Sequence, residues 1–349
     1  MTEYIGIDLH KAKSFVTRMD EQGTVLEQRH LVHNTGALQQ YLTALPADAR
    51  IAVEATGNWM WLYELIEDRH PDLLLAHPLK TKAIASARIK TDKIDATTLA
   101  HLRRAELLPA AYIPPRAIRD LRELLRYRAS LGRLSTQVKN KVSAVLSKTG
   151  TVTPTKTAFG VKSRRFLTSA PFRPCYRTTV DGYLRLLDAV TAEQDQLSQQ
   201  LEVEAAAHPQ AQLLRTMPGI GAYSALLILS EIGDVNRFPD GRHLCSYAGL
   251  VPSVYSSGDK TRLGRLTKQG SRWLRWILVE LSIHAINGAP QFRHLYWRVA
   301  KKHGRHPARI AVARAMLKTL YAMLKHQQPF RAIEPGSTGQ RPSVIAGSG

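Results

Sequence analysis

Asp8 and Glu54 each close a short apolar run that reads as a β-strand, Glu3-Tyr4-Ile5-Gly6-Ile7-Asp8 and Arg50-Ile51-Ala52-Val53-Glu54. Acids that end two strands can stand side by side at one edge of a sheet. Asp92 and Asp95 follow in Lys90-Thr91-Asp92-Lys93-Ile94-Asp95, where their i, i+3 spacing puts both on one helix face. Hard divalent cations take oxygen ligands and keep several waters, so carboxylates converging from separate elements suit Mg2+. A cation held this way polarises a phosphate and stabilises the oxygen that leaves in strand transfer. Each acid has a plainer reading as a surface carboxylate, and Asp92 fits a helix cap as well as a metal ligand. All four lie in the part of the chain without basic excess, which favours the joint reading.

A second constellation lies further along, in Tyr255-Ser256-Ser257-Gly258-Asp259-Lys260 followed by Arg262, Arg265 and Lys268. A serine before a glycine, ringed by cations, is placed to attack a phosphodiester while the cations hold the phosphate. On the residues alone, a polar loop whose bases only position phosphates is the simpler account. The predicted helix Ser271–Asn287 carries Arg272, Trp273, Arg275 and Trp276. These could stack on bases and grip phosphates, or form an amphipathic helix with core tryptophans. Met217-Pro218-Gly219-Ile220-Gly221 reads as the hairpin of a helix-hairpin-helix or as a tight turn before a core helix. His303, Arg305, His306 and Arg309 make a basic cluster without acids or thiols, which argues against a metal there.

The elements that must position these groups change along the chain. Strands at 14–19 and 24–32 follow the first one, with helices at 36–45, 59–69 and 92–108 and a further strand at 73–77. This alternation predicts an α/β domain over 1–112, a mixed sheet with helices packed on it. Asn58 is placed to cap the second of those helices. Leu124, Leu131, Val138 and Val145 then recur every seven residues, and Tyr183, Leu187, Val190, Leu197 and Leu201 keep a similar spacing. Two long helices follow, at 118–148 and 180–207, as a coiled-coil pair within 113–207 and with a loop over about 149–180. A mainly helical domain over 208–330 ends the folded part. The tail at 331–349, rich in Pro, Gly and Ser, reads as disordered.

Charge divides the chain in the same way. Of 49 Lys/Arg and 28 Asp/Glu, residues 1–100 hold 11 and 13, and the remaining 38 and 15 lie beyond. A net +21 on 349 residues points to a polyanionic partner, most often nucleic acid. Cys175 and Cys245 are too few for a disulfide scaffold or a cysteine-built zinc site. No apolar run reaches the ~18 residues of a membrane span, and the start of the chain lacks a basic leader. The expected location is therefore the cytoplasm, without membrane attachment.

Taken in order, Tyr-Ile-Gly-Ile-Asp8, Val-Glu54-Ala-Thr-Gly, Lys-Thr-Asp92-Lys-Ile-Asp95-Ala, Pro-Gly-Ile-Gly and Ala-Gly-Leu-Val-Pro…Ser-Ser257-Gly resemble the Piv-type DEDD recombinases, transposases of bacterial insertion sequences. The likeness runs from about residue 3 to about residue 328. It implies a RuvC-like, ribonuclease-H-type N-terminal domain in which Asp8, Glu54, Asp92 and Asp95 bind Mg2+. It implies a coiled coil that dimerises, with a tetramer possible in the synaptic complex, and a C-terminal domain whose serine links covalently to DNA. That serine is Ser257, with Ser256 as its rival; Lys260, Arg262, Arg265, Lys268, Arg272 and Arg275 would contact nucleic acid. The partners implied are donor and target DNA and a structured, element-encoded bridge RNA. Two other readings use the same residues: a Holliday-junction nuclease with water as nucleophile, and a non-catalytic nucleic-acid-binding scaffold.

Overall fold

A computed structural model describes residues 2–55, 57–70, 72–85, 91–156, 158–257 and 260–333. The expected disordered tail lies, from residue 334 onward, outside the described residues. The chain divides into two compact units, Met1–Pro114 and Pro115–Gly349.

The first unit is built on a six-stranded sheet. Its elements are β1 (Tyr4–Leu9), β2 (Lys13–Met19), β3 (Val25–Val32), α1 (Ala37–Ala44), β4 (Arg50–Glu54), α2 (Trp59–Ile66), β5 (Leu74–Ala76), α3 (Pro78–Ile84), α4 (Asp92–Arg104) and β6 (Ala110–Ala111). The strand order is β3-β2-β1-β4-β5-β6. β1, β2 and β3 form an antiparallel meander, β4 and β5 add in parallel, and β6 closes the edge antiparallel. This is the expected mixed sheet. On one side Ile5, Ile7, Val16, Ile51 and Val53 pack with Leu38, Leu42 and Leu62 of the first two helices.

α4 sits against β1, and the sequence makes room for it. A Cβ on Gly6 would lie 1.9 Å from the Ala96 carbonyl oxygen and 2.7 Å from the Ala100 nitrogen. Only glycine allows helix backbone and strand backbone to come this close. The small residues Ala96 and Ala100 complete the contact, both fully buried.

The second unit opens with two 34-residue helices, α5 (Arg116–Thr149) and α7 (Pro174–Ala207). They run antiparallel: Arg128 in the first half of α5 reaches Ser198 in the second half of α7, while Val142 and Leu146 toward the end of α5 pack with Val180 and Leu184 near the start of α7. Leu131, Val138 and Val145 are buried as the heptad predicts, but Leu124 is exposed and Leu125 takes its place. The expected loop between them contains a further helix, α6 (Val161–Ser169). Its Leu167 is fully buried against Val142, Leu146, Val180 and Leu184. The surface that stabilises α6 comes from helix ends distant in sequence, so the Thr- and Pro-rich composition gave no local sign of it.

The remaining elements are α8 (Pro209–Arg215), α9 (Ala222–Ile232), α10 (Gly241–Tyr247), β7 (Pro252–Ser257), β8 (Lys260–Leu266), α11 (Arg272–Gly288), α12 (Pro290–His303) and α13 (Arg305–His326). α9, α11 and α13 are the centre of a large core that also takes in Leu125 and Leu131 of α5 and Leu197 and Leu201 of α7. Where a loop was expected around the serines, β7 and β8 form an antiparallel hairpin. Its root is pinned by two glycines. A Cβ on Gly249 would meet the Gln269 carbonyl at 2.4 Å, and one on Gly270 would meet the Tyr247 carbonyl at 1.9 Å.

Candidate active site

Asp8 stands near the end of β1, 6% exposed. Glu54 ends the neighbouring strand β4, one step beyond the Ile7–Val53 pair. Parallel pairing in that register aligns the two acids at one sheet edge. The Gly6 contact then fixes the first turn of α4 over the same edge, and that turn carries Asp92 and Asp95.

Asp92 is not the helix cap. Thr91 takes that role, its hydroxyl accepting from the Ile94 amide at 3.2 Å. With the cap supplied by its neighbour, the Asp92 carboxylate is turned to the sheet edge. His10 Nε2 lies 3.2 Å from an Asp8 oxygen and 3.2 Å from an Asp92 oxygen, bridging strand and helix. Lys13 Nζ lies 3.5 Å from the other Asp92 oxygen. The Asn58 side chain, expected as a helix cap, instead donates to the His10 carbonyl at 2.8 Å and holds the turn that carries the imidazole.

The electrostatics report how these groups converge. Burial raises the Asp8 carboxyl above its ordinary range, His10 opposes that rise, and the charges of Asp92, Asp95 and Glu54 add to it. All three other acids thus act on Asp8. At Asp92 burial pushes upward, but the hydrogen bond and charge of His10, with Lys13, outweigh it and lower the carboxyl. One ligating atom each of Asp8, His10 and Asp92 lies within 4.8 Å of the others. Carboxylate oxygens with one imidazole nitrogen are a donor set that a hard divalent cation accepts. His10 was not singled out from sequence. Its signal was the spacing Asp8-x-His10, which puts both side chains on one side of an extended chain.

The other predicted residues lie in the second unit. Ser257 pairs with Lys260, and Ser256 with Thr261, at the distal end of the hairpin. Gly258 and Asp259, which complete the serine motif, lie outside the described residues. Arg262, Arg265, Lys268 and Arg272 are exposed. Arg275 is half-buried and donates to the Ala248 carbonyl at 2.9 Å, which braces the hairpin root. Of the two tryptophans, Trp273 is a core residue at 8% exposure, with Arg133 stacked 5.0 Å from its ring centroid. Trp276 is 40% exposed.

A buried polar hub supports this region, and no motif or spacing announces it. Glu231, 3% exposed within the otherwise apolar α9, accepts from the Ser271 hydroxyl at 2.8 Å. Its other oxygen faces Arg126 at 3.3 Å and Arg122 at 3.9 Å. Ser271 also caps α11, accepting from the Leu274 amide at 3.1 Å. One carboxylate therefore joins α5 and α9 to the first residue after the hairpin root.

Comparison with known proteins adds the family. Residues 211–297 match the family described as "Transposase IS116/IS110/IS902 family". Residues 5–150 match the DEDD domain named for the IS110 transposase. A putative transposase of Sinorhizobium fredii is 28% identical over 79% of this chain and 70% of its own length. The transposase of the element IS1111A from Coxiella burnetii is 24% identical over 94% of this chain and 91% of its own. A pilin gene-inverting protein of Moraxella bovis is 27% identical over 80% of this chain and 81% of its own.

Proposed function

Since this chain is a transposase of the IS116/IS110/IS902 family, we propose that it cuts and rejoins DNA at the ends of its own insertion element, using the carboxylates of the first unit and a serine of the second. The convergence of Asp8 with Asp92 across His10, within the field of Glu54 and Asp95, is the observation that carries this reading. Asp8, Glu54, Asp92 and Asp95 would hold Mg2+, which when bound supplies positive charge to the phosphate and to the departing oxygen. The chain's own groups do the rest. Asp8 is held by the sheet, Asp92 by the Thr91-capped helix, and His10 keeps the two carboxylates together.

Ser257 Oγ attacks phosphorus, forming a phosphoserine ester and breaking the bond to a sugar oxygen. The serine gives up one proton and the departing oxygen takes one up, so the step is balanced. Attack by the hydroxyl of a second strand reverses it and releases the serine. The exposed cations Arg262, Arg265, Lys268 and Arg272 flank the hairpin and suit phosphates. The basic excess of the chain supports a structured RNA as a further partner, alongside donor and target DNA. The heptad stripes of α5 and α7 are buried within the chain, so a dimer, with a tetramer as the larger assembly, rests on the family resemblance and would use other surface. Among the described residues no helix is long and apolar enough to cross a membrane.

Asp95→Ala and Ser257→Ala should each abolish recombination of a marked element in cells while nucleic-acid binding persists. A Ser257→Ala protein recombining at the wild-type rate would remove the serine step. The comparison with Ser256→Ala then assigns the nucleophile. Mg2+-dependent cleavage with no covalent protein–DNA product would point to water as the nucleophile instead. Sequencing of RNA that copurifies from the native host tests the RNA partner: one discrete species mapping beside the gene is expected.

A further inference from the structure

Residues 281–333 contain ten Lys/Arg and no Asp or Glu. None of these ten cations is ion-paired among the described residues. Three are used internally: Arg293 donates to the Asn287 carbonyl at 2.7 Å, Arg309 to the Val279 carbonyl at 2.9 Å and Lys325 to the Asn236 side chain at 2.7 Å. Arg298, Lys301, Lys302 and Arg305 are exposed, as are His294, His303 and His306. Helical spacing gathers His294, Trp297, Arg298, Lys301 and Lys302 onto one side of α12. Phe292 holds the opposite side in the core.

Trp297 is the odd member of this face. It is 55% exposed, while the ring of Tyr296 meets it edge-on at 5.1 Å and holds its orientation. A solvent-facing indole on a helix whose exposed face carries cations and no acid offers a π-face and phosphate contacts side by side. Along the Gln291–Arg298 stripe of the same helix lies a cleft of about 400 Å³ whose lining includes Phe292, Leu295, Ala315 and Ile333 together with His294 and Arg298. Apolar walls with cations suit an unstacked base and its phosphate.

We infer that the exposed face of α12, continued through the turn at 301–306, binds an unpaired stretch of nucleic acid, stacking a base on Trp297 and holding its phosphates with Arg298, Lys301, Lys302 and Arg305. A fully paired duplex hides its base faces and leaves Trp297 without a partner. Single-stranded DNA and single-stranded RNA share this chemistry. The inference rests on the transposase reading only for the presence of nucleic acid, and it stands apart from the acids and Ser257.

The test is fluorescence anisotropy on the full-length protein without divalent metal. The probes are labelled oligothymidylate and oligouridylate of about 20 nucleotides and a duplex of matched length. Trp297→Ala should weaken single-strand binding about tenfold and leave duplex binding unchanged, and Trp297→Phe should restore most of the loss. Charge removal at Arg298, Lys301 and Lys302 should lower the salt slope by about 0.7 per cation. Whichever single strand loses more affinity identifies the natural source. Because other sites also bind nucleic acid, photo-crosslinking with an iodouridine-containing strand locates the contact, with the peptide spanning Trp297 as the expected product. Unchanged single-strand binding by Trp297→Ala, equal loss for the duplex, or crosslinks only elsewhere would each overturn the inference. A recombination-dead enzyme that passes this test leaves it intact, and a failure here leaves the cutting reading untouched.

Discussion

At the scale of residues, His10 occupies the place where two carboxylates would otherwise face each other unscreened. Its Nε2 sits 3.2 Å from both Asp8 and Asp92, so the imidazole and a bound cation hold the same two carboxylates together. Two outcomes are expected from this. Mg2+ should stabilise the fold by mass action, by about 2.7 kcal/mol at a hundred times its dissociation constant. Denaturant unfolding should register that rise in the wild type and lose most of it in Asp8→Asn and Asp92→Asn. An undiminished rise in both variants would place the ion elsewhere. His10→Ala should lower the unfolding midpoint in EDTA and have little effect at saturating Mg2+. The acids were readable in the sequence because residue type and strand-end position advertise them. His10 was not, because an exposed histidine beside a strand usually does nothing; only the register of β1 over the first turn of α4 gives it two partners.

At the scale of elements, packing contacts between backbones set the geometry. Gly6 lets α4 rest on β1, and Gly6→Ala would drive a methyl into the Ala96 carbonyl. Overpacking of this kind costs about 1–3 kcal/mol. Here it should also shift Asp92 and Asp95 away from Asp8 and reduce recombination more than stability alone explains. Ser271 acts twice, as the α11 cap and as a donor to buried Glu231. Ser271→Ala should therefore cost about 2 kcal/mol or more in denaturant unfolding, beyond the ~1 kcal/mol of an ordinary cap. The strands and the two long helices were legible because their periodicities are local. α6 and the β7–β8 hairpin were not, since each depends on partners supplied by distant residues: Val142 and Val180 for one, Gln269 and Tyr247 for the other. The one-residue shift from Leu124 to Leu125 has a similar cause, since α5 packs against α9 as well as α7 and the facing surface selects the stripe.

At the scale of the whole molecule, the two units divide the charge unequally. The first holds 13 Lys/Arg and 14 Asp/Glu up to residue 114, and the second holds the remaining 36 and 14. Each has its own core. Residues 115–349 expressed alone should retain salt-sensitive nucleic-acid binding, with affinity falling steeply from about 50 to 200 mM salt as counterions are released. Residues 1–114 alone should unfold cooperatively and bind nucleic acid weakly. Strong binding by the first unit, or none by the second, would contradict this division. Charge asymmetry is visible in any sequence, so this level was the most legible of the three.

The hairpin root has a consequence for how such a protein can diversify. Gly249 and Gly270 lock the two strands where they leave the core, backbone against backbone. Between those points Val254, Tyr255, Arg262 and Arg265 are exposed and contribute little to the packing below. The arm is therefore a cassette: apart from Ser257, the proposed nucleophile, its outer residues can vary without disturbing the fold, while its root cannot. Exchange of the segment between relatives should preserve folding and transfer whatever preference for DNA the arm confers.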